Sequence, residues 1–140
     1  MHSNFHWNVR VYYEDTDAGG IVFYANYLKF FERARTEWLR ALGVNQQILA
    51  QTHGVIFVVK STAVDYHAPA KLDDELKLTV VVRRVGKASI QFTQEAWRID
   101  SNGGEPQLLA TGDIKVGCVD AKTVRPSAIP DEVAKKLTTE

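Results

Sequence analysis

One stretch of this chain has the residue types and spacing for carbonyl chemistry. Tyr13-Glu14-Asp15-Thr16-Asp17-Ala18-Gly19-Gly20-Ile21-Val22-Phe23-Tyr24-Ala25-Asn26-Tyr27 runs straight into an amphipathic segment. It sets carboxylates in a flexible, glycine-rich loop a few residues ahead of a predicted helix start. The first turn of a helix leaves N–H groups without intrahelical partners and carries a partial positive charge. A carboxylate beside such donors is a minimal site for attack on a carbonyl: one group attacks or deprotonates water, the other holds the developing oxyanion. On residue type alone Asp15 and Asp17 compete for that role. Either could instead cap the turn by accepting local N–H groups.

Other chemistries fit less well. Counting Asp15 as the first residue of a calcium loop puts Asn26 in the twelfth place, where a bidentate Glu is needed, so no metal is expected. There is no Gly-x-Ser-x-Gly elbow, phosphate-binding loop or dinucleotide fingerprint. The single cysteine, Cys118, lies on the apolar parity of a predicted strand and reads as a small buried residue. His53 and His67 fall near strand ends and read as surface or hydrogen-bonding residues.

The positioning elements follow from periodicity. Phe5, Trp7, Val9, Val11 and Tyr13 alternate with polar neighbours, as a half-buried strand does. From about Tyr24 to Leu42 the period becomes 3.6. Tyr27, Phe31, Ala34, Trp38 and Leu42 form one stripe, widened by Phe30 and Ala41, with Lys29, Glu32, Arg33, Glu37 and Arg40 largely opposite. Such a helix is about 28 Å long. Gly43 is placed to end it in a left-handed turn, and Asn45 to cap one or two further turns over Gln46–Ala50. Four strands follow, at Val55–Val64, Glu75–Val85, Ala88–Ile99 and Gln107–Val119. A parity switch predicts a bulge near Thr93–Glu95. Val85-Gly86-Lys87 and Ser101-Asn102-Gly103-Gly104 read as hairpin turns. A short helix is expected at Asp131–Leu137.

Short turns make neighbouring strands antiparallel. The fold class is therefore α+β: a five-stranded antiparallel sheet wrapped around one long helix. One helix is thin cover for five strands, and an edge strand remains, which favours a homodimer or a dimer of dimers, a homotetramer, with the site between subunits.

Bulk properties bound the rest. The 140 residues fit one domain, 1–140. Seventeen basic residues balance seventeen acidic ones, which gives no net drive toward nucleic acid or anionic membrane. No apolar run is long enough to span a bilayer. The first residues lack a signal-peptide pattern. With one thiol and no disulfide framework, a cytoplasmic location is expected.

This order and these residues resemble the hotdog-fold acyl-CoA thioesterases, and within them the 4-hydroxybenzoyl-CoA thioesterase family and its Tol–Pal-associated group. Tyr12–Gly20 through Phe30–Glu37 carries the first signature. Asp65-Tyr66-His67-Ala68-Pro69-Ala70-Lys71-Leu72-Asp73-Asp74 resembles the second. The resemblance implies hydrolysis of acyl-CoA thioesters to free acid and coenzyme A, with no cofactor beyond the coenzyme A carried by the substrate. It implies that Asp17 is the catalytic carboxylate and that the backbone N–H of Tyr24 polarises the thioester carbonyl. Many members of the Tol–Pal-associated group carry histidine where this chain has Tyr24, whereas the 4-hydroxybenzoyl-CoA thioesterases carry tyrosine.

Gly20, Tyr27, Lys60, Lys87 and Ser89 are the candidate substrate-binding residues. Phe23, Tyr24 and Tyr27 are compatible with an aromatic acyl group or with simple packing. The coenzyme's phosphates need Lys or Arg beside free N–H groups. Lys60, Arg83, Arg84, Lys87, Lys122 and Arg125 are the candidates, with the Lys87–Ser89 turn preferred. Acyl carrier protein is a further candidate partner. Two other functions compete: a hotdog 3-hydroxyacyl-thioester dehydratase, and a non-catalytic acyl-CoA or acyl-carrier binding module. The dehydratase needs a His that the loop–helix segment does not offer.

Overall fold

The computed structural model describes residues 5–100 and 102–138. The elements are β1 (Phe5–Arg10), a 3-10 turn (Tyr13–Asp15), α1 (Asn26–Ala41), α2 (Gln46–His53), β2 (Val55–Tyr66), β3 (Glu75–Val85), β4 (Ser89–Ile99), β5 (Gln107–Asp120) and α3 (Asp131–Thr138). The five strands form one antiparallel sheet in the order β1-β3-β4-β5-β2. β1 and β2 are its edges.

α1 is the long helix and lies against the sheet. Tyr27, Phe30, Phe31, Ala34 and Trp38 are buried from its side. From the sheet come Leu76, Leu78, Val80, Ile90, Phe92 and Ile114. Each large apolar side chain so buried contributes about 1.5–3 kcal/mol. Contact is closest at Gly112, where a Cβ would stand 3.0 Å from the Phe31 ring and 3.1 Å from Ile114. Leu39 and Arg35 are also buried, whereas Ala41 is exposed. The covered arc is therefore rotated slightly from the predicted stripe.

α1 stops as expected. Gly43 has φ +83°, its N–H donates to Arg40 O at 2.9 Å, and the Val44 N–H reaches back to Leu39 O at 2.8 Å. These two bonds make a Schellman motif. Asn45 caps α2 by accepting the Ile48 N–H at 3.0 Å. α3 docks through Val133 and Leu137.

Three expectations are corrected. β1 ends at Arg10, not Tyr13. The Asp15 carboxylate accepts the Tyr12 N–H at 2.9 Å, which turns the chain and leaves Tyr13 81 % exposed. The β4 irregularity falls between Ala96 and Trp97 rather than at Thr93–Glu95. Gln94 keeps the inward parity because its amide is satisfied inside, by Arg35, Phe31 O and Thr79 O. β2 runs to Tyr66, past the predicted Val64. Of the Ser101–Gly104 turn, Ser101 lies outside the described residues, as do Met1–Asn4.

Candidate active site

The acidic loop is a closed hairpin rather than a flexible segment. Thr16 bridges Val22, the Asp17 N–H donates to Ile21 O at 2.9 Å, and the Gly20 N–H donates to Asp17 O at 3.0 Å. Gly20 sits at φ +80°, the left-handed position that lets three residues close a hairpin. Ile21 in turn bridges Lys71, and the Val22 N–H donates to Ala70 O at 2.9 Å. The hairpin is thereby tied to the second signature segment.

The two aspartates separate cleanly. Asp15 is 6 % exposed and fully engaged. Its Oδ1 accepts from Asn26 Nδ2 at 2.8 Å and its Oδ2 from the Tyr12 N–H. Its carbonyl accepts the Phe23 N–H at 3.1 Å. It therefore pins the start of α1 to the hairpin. Asp17 is exposed, with Oδ1 accepting the Gly19 N–H at 2.8 Å. That bond orients the carboxylate and leaves Oδ2 open. Of the two, only Asp17 has an oxygen to offer a substrate.

The helix start supplies donors. The N–H groups of Asn26, Tyr27 and Leu28 close on carbonyls of Phe23, Tyr24 and Ala25. Those of Tyr24 and Ala25 have no partner among the described residues. Tyr24 is 63 % exposed, and its ring tilts against Phe23 at 4.8 Å. Tyr66, at the end of β2, donates its hydroxyl to Tyr24 O at 2.9 Å and meets the rings of Tyr24 and Tyr27 edge-on, at 6.2 and 5.4 Å. These aromatics, with Ile21, His67 and Pro69, line a cavity of about 370 Å³.

Tyr27 is 2 % exposed, and its hydroxyl accepts the Ala70 N–H at 3.1 Å. Burial raises its pKa, against the lowering effect of that hydrogen bond, so the phenol stays neutral. Burial likewise raises the pKa of Tyr66. Arg98 braces the cavity's outer wall. Its Nε donates to Asp74 Oδ2 at 2.9 Å, its Nη2 to Pro69 O at 2.6 Å, and its Nη1 to Gln107 Oε1.

The sequence-derived residues fall in three places. Tyr24 and Tyr27 line the cavity, whereas Asp17 is not among its lining residues. Gly20 serves the hairpin, where its N–H is already bonded. Lys60, Lys87 and Ser89 gather at the other end of the sheet, around Gly117. Ser89 pairs with Gly117 across β4 and β5, and the Lys60 stem lies over Gly117. Lys60 is the extra residue of a β2 bulge between Val59 and Ser61. Lys87 occupies the adjoining hairpin, closed by the Gly86 N–H on Ser89 O at 2.7 Å.

Sequence reasoning missed Tyr66 in the cavity wall, whereas His67, read as a surface or hydrogen-bonding residue, is exposed and bonded. His67 stands in the cavity wall, 3.1 Å from Thr111 Oγ1. Both lie in the second signature segment, next to the Pro69 that ends the strand pattern, which was the available signal.

An antiparallel sheet folded over one helix, whose start presents free N–H donors beside an aromatic cavity, defines a hotdog-type protein of the thioester-handling class. A model of the thioesterase-like superfamily matches residues 11–137, and the chain belongs to that family. It is 47 % identical over 133 residues to the acyl-CoA thioesterase YbgC of Haemophilus influenzae, covering 95 % of this chain and 93 % of that protein. Over the same length it is 43 % identical to the acyl-CoA thioester hydrolase YbgC of Escherichia coli O6:H1, covering 95 % of each. Among solved structures, a mutant 4-hydroxybenzoyl-CoA thioesterase complexed with 4-hydroxybenzoyl-CoA superposes with TM-score 0.86 at 19 % identity. That match covers 94 % of this chain and 96 % of that one, and shows the shared fold. No helix among the described residues is long and apolar enough to cross a membrane.

Proposed function

We propose that this protein hydrolyses acyl-CoA thioesters to a free carboxylic acid and coenzyme A, with Asp17 and the Tyr24 N–H as the reacting groups. The observation that carries the reading is the unbonded Tyr24 N–H beside an aromatic cavity, in a chain 47 % identical to an acyl-CoA thioesterase. The acyl group lies in the cavity against Tyr24, Tyr27, Tyr66 and His67. Its carbonyl oxygen accepts from Tyr24 N–H, which gains strength as that oxygen becomes anionic. Asp17 Oδ2 then attacks the carbonyl carbon, giving a mixed anhydride and the coenzyme A thiolate, and water hydrolyses the anhydride. Alternatively Asp17 takes a proton from the attacking water. In either route the thiolate is protonated as it leaves, and no cofactor is consumed.

A second copy completes the site. Along one β2 strand, Lys60 lies about 20 Å from Tyr66, so the basic cluster and the acyl cavity of a single chain stand apart. Antiparallel pairing of the free β2 edge with a partner's β2 sets the Tyr66 end of one copy beside the Val55 half of the other, the half nearer the Lys87–Ser89 turn. The Lys60, Lys87 and Ser89 cluster of the partner then faces the nucleotide end of the coenzyme. We therefore read the active form as a dimer, or a dimer of dimers. A cytoplasmic setting suits a substrate that carries coenzyme A, and an acyl carrier protein would present the same thioester.

The test is a panel of aliphatic and aromatic acyl-CoAs, plus acyl carrier protein thioesters, with free thiol followed spectroscopically. Turnover of at least one acyl-CoA is expected. Folded protein inert on all of them would reject hydrolysis and leave the binding-module reading.

A further inference from the structure

Arg35 is the charge that the site does not use. It sits on α1, 8 % exposed. Its Nη1 donates to Gln94 Oε1 at 2.9 Å, and its Cζ lies 6.0 Å from the centre of the Phe92 ring. Among the described residues no carboxylate comes within ion-pair distance of it. Burial lowers its pKa, and Glu32 pulls the other way. A guanidinium out of water is costly unless paired, and one amide oxygen leaves most of its five donors unused. None of its nitrogens is both fully buried and unbonded. The spare donors therefore open on the cavity of about 200 Å³ that Arg35 lines, between α1 and the β2 side of the sheet.

Glu32, one turn earlier, stands at the same cavity and acts on the charge only from beyond ion-pair distance. Its carboxylate is exposed and accepts from Thr36 Oγ1 at 2.6 Å. Glu32, Arg35, Thr36 and Leu39 recur at i, i+3, i+4 and i+7, a stripe of α1 that borders the core stripe and shares Leu39 with the core. Leu28, 42 % exposed, extends that stripe by a turn, and Val59 on the neighbouring free edge is 51 % exposed. Two exposed apolar side chains, Leu28 and Val59, flanking a charged helix stripe beside an unpaired strand make a surface that association covers.

We propose that a second copy of this chain covers this face and that the partner's Glu32 supplies the carboxylate for Arg35, with the reciprocal pair formed across the axis. This rests on the dimer reading above. Antiparallel pairing of the two β2 strands implies a two-fold axis through the middle of the strand. The same axis lays the two α1 helices side by side and antiparallel. In such an isologous contact, if position 32 meets position 35 of the partner, the converse contact follows. One Glu and one Arg per chain thus make two ion pairs. Gln94, bonded to Arg35, also donates to Phe31 O at 3.1 Å. The seam is thereby coupled to the helix whose start holds Tyr24.

The test compares Glu32→Arg, Arg35→Glu and their equimolar mixture by sedimentation equilibrium, with circular dichroism as the check on folding. Each reversal alone is expected to weaken the dimer at least about tenfold. The mixture regains wild-type affinity, because the altered charges then face complements across the seam. A pair within one chain could not be rescued by mixing, so singles that weaken without rescue overturn the proposal. Should Arg35→Glu not fold, Glu32→Gln alone is expected to weaken the dimer about tenfold, and an unchanged Kd overturns the pair. Octanoate binding that Arg35→Met abolishes, with dimer affinity unchanged, would assign the cavity to a small carboxylate instead and overturn it. A wild-type dimer indifferent to both reversals removes the ion pair alone, whereas an active wild-type monomer removes the dimer reading with it.

Discussion

Asp15 and Asp17 lie two residues apart in one hairpin, yet their surroundings give them opposite work. Asp17 keeps an open oxygen, so Asp17→Asn is expected to cut turnover about 10²–10⁴-fold with the fold intact; near-normal turnover would remove it from the mechanism. Asp15 accepts from both Tyr12 N–H and Asn26 Nδ2. In Asp15→Asn an NH₂ group replaces one acceptor oxygen, so either the Tyr12 N–H faces a donor or the buried Asn26 amide must turn over. That mismatch should lower stability by about 1–3 kcal/mol, visible as a drop in urea midpoint, with far less loss of turnover per folded molecule. Tyr24 separates backbone from side chain. Its hydroxyl makes no hydrogen bond among the described residues, and its ring contacts with Phe23 and Tyr66 survive in phenylalanine. Tyr24→Phe is expected to lose less than about tenfold in turnover, against about 10²–10³-fold for deleting an oxyanion donor. A loss matching that of Asp17→Asn would make the hydroxyl an acid and end the single-carboxylate scheme.

At the scale of elements, the site depends on where α1 lies over the sheet. That position is set by Phe31 packing onto the bare backbone of β5 at Gly112, and by the Gln94 amide bonded to Phe31 O. Gly112→Ala puts a methyl 3.0 Å from the Phe31 ring. Neither the buried helix nor the central strand has room to yield, so an overpacking cost of about 1–3 kcal/mol is expected. Denaturant unfolding measures it, and unchanged stability would show that α1 shifts freely. A displaced α1 also moves Tyr24 N–H, so turnover should fall at temperatures where Gly112→Ala is still folded.

For the whole molecule, the proposed dimer rests on the free β2 edge and the aromatics exposed around it. Phe23, Tyr24, Val59 and Tyr66 are each between 46 % and 63 % exposed. Sedimentation is expected to show a dimer or larger even-numbered assembly, and turnover per chain should fall on dilution through its dissociation constant. A stable monomer that retains full turnover would contradict a site shared between subunits.

Local patterns in the chain determined much of this by themselves. Period-two runs set the strands, a 3.6-residue period set α1, and Gly43 and Asn45 set its exit and the next cap, because each of these depends on near neighbours in sequence. The helix start after the acidic loop was likewise legible, since it depends on near neighbours, whereas the closure of that loop into a hairpin was not. Tertiary structure alone decided the rest. Gln94 and Arg35 are polar by type, yet they face inward, where Arg35 Nη1 donates to Gln94 Oε1 across the helix–sheet layer and the Gln94 amide reaches Phe31 O. Tyr66 and His67 reach the aromatic cavity because β2 runs past its predicted end, to where Tyr66 meets Tyr24 and Tyr27 at the start of α1. Lys60, Lys87 and Ser89 are drawn together by the pairing of three strands around Gly117, yet Lys60 is kept away from the Tyr66 cavity by the length of β2. Long-range pairing fixes which distant residues share a surface, and no local period encodes it.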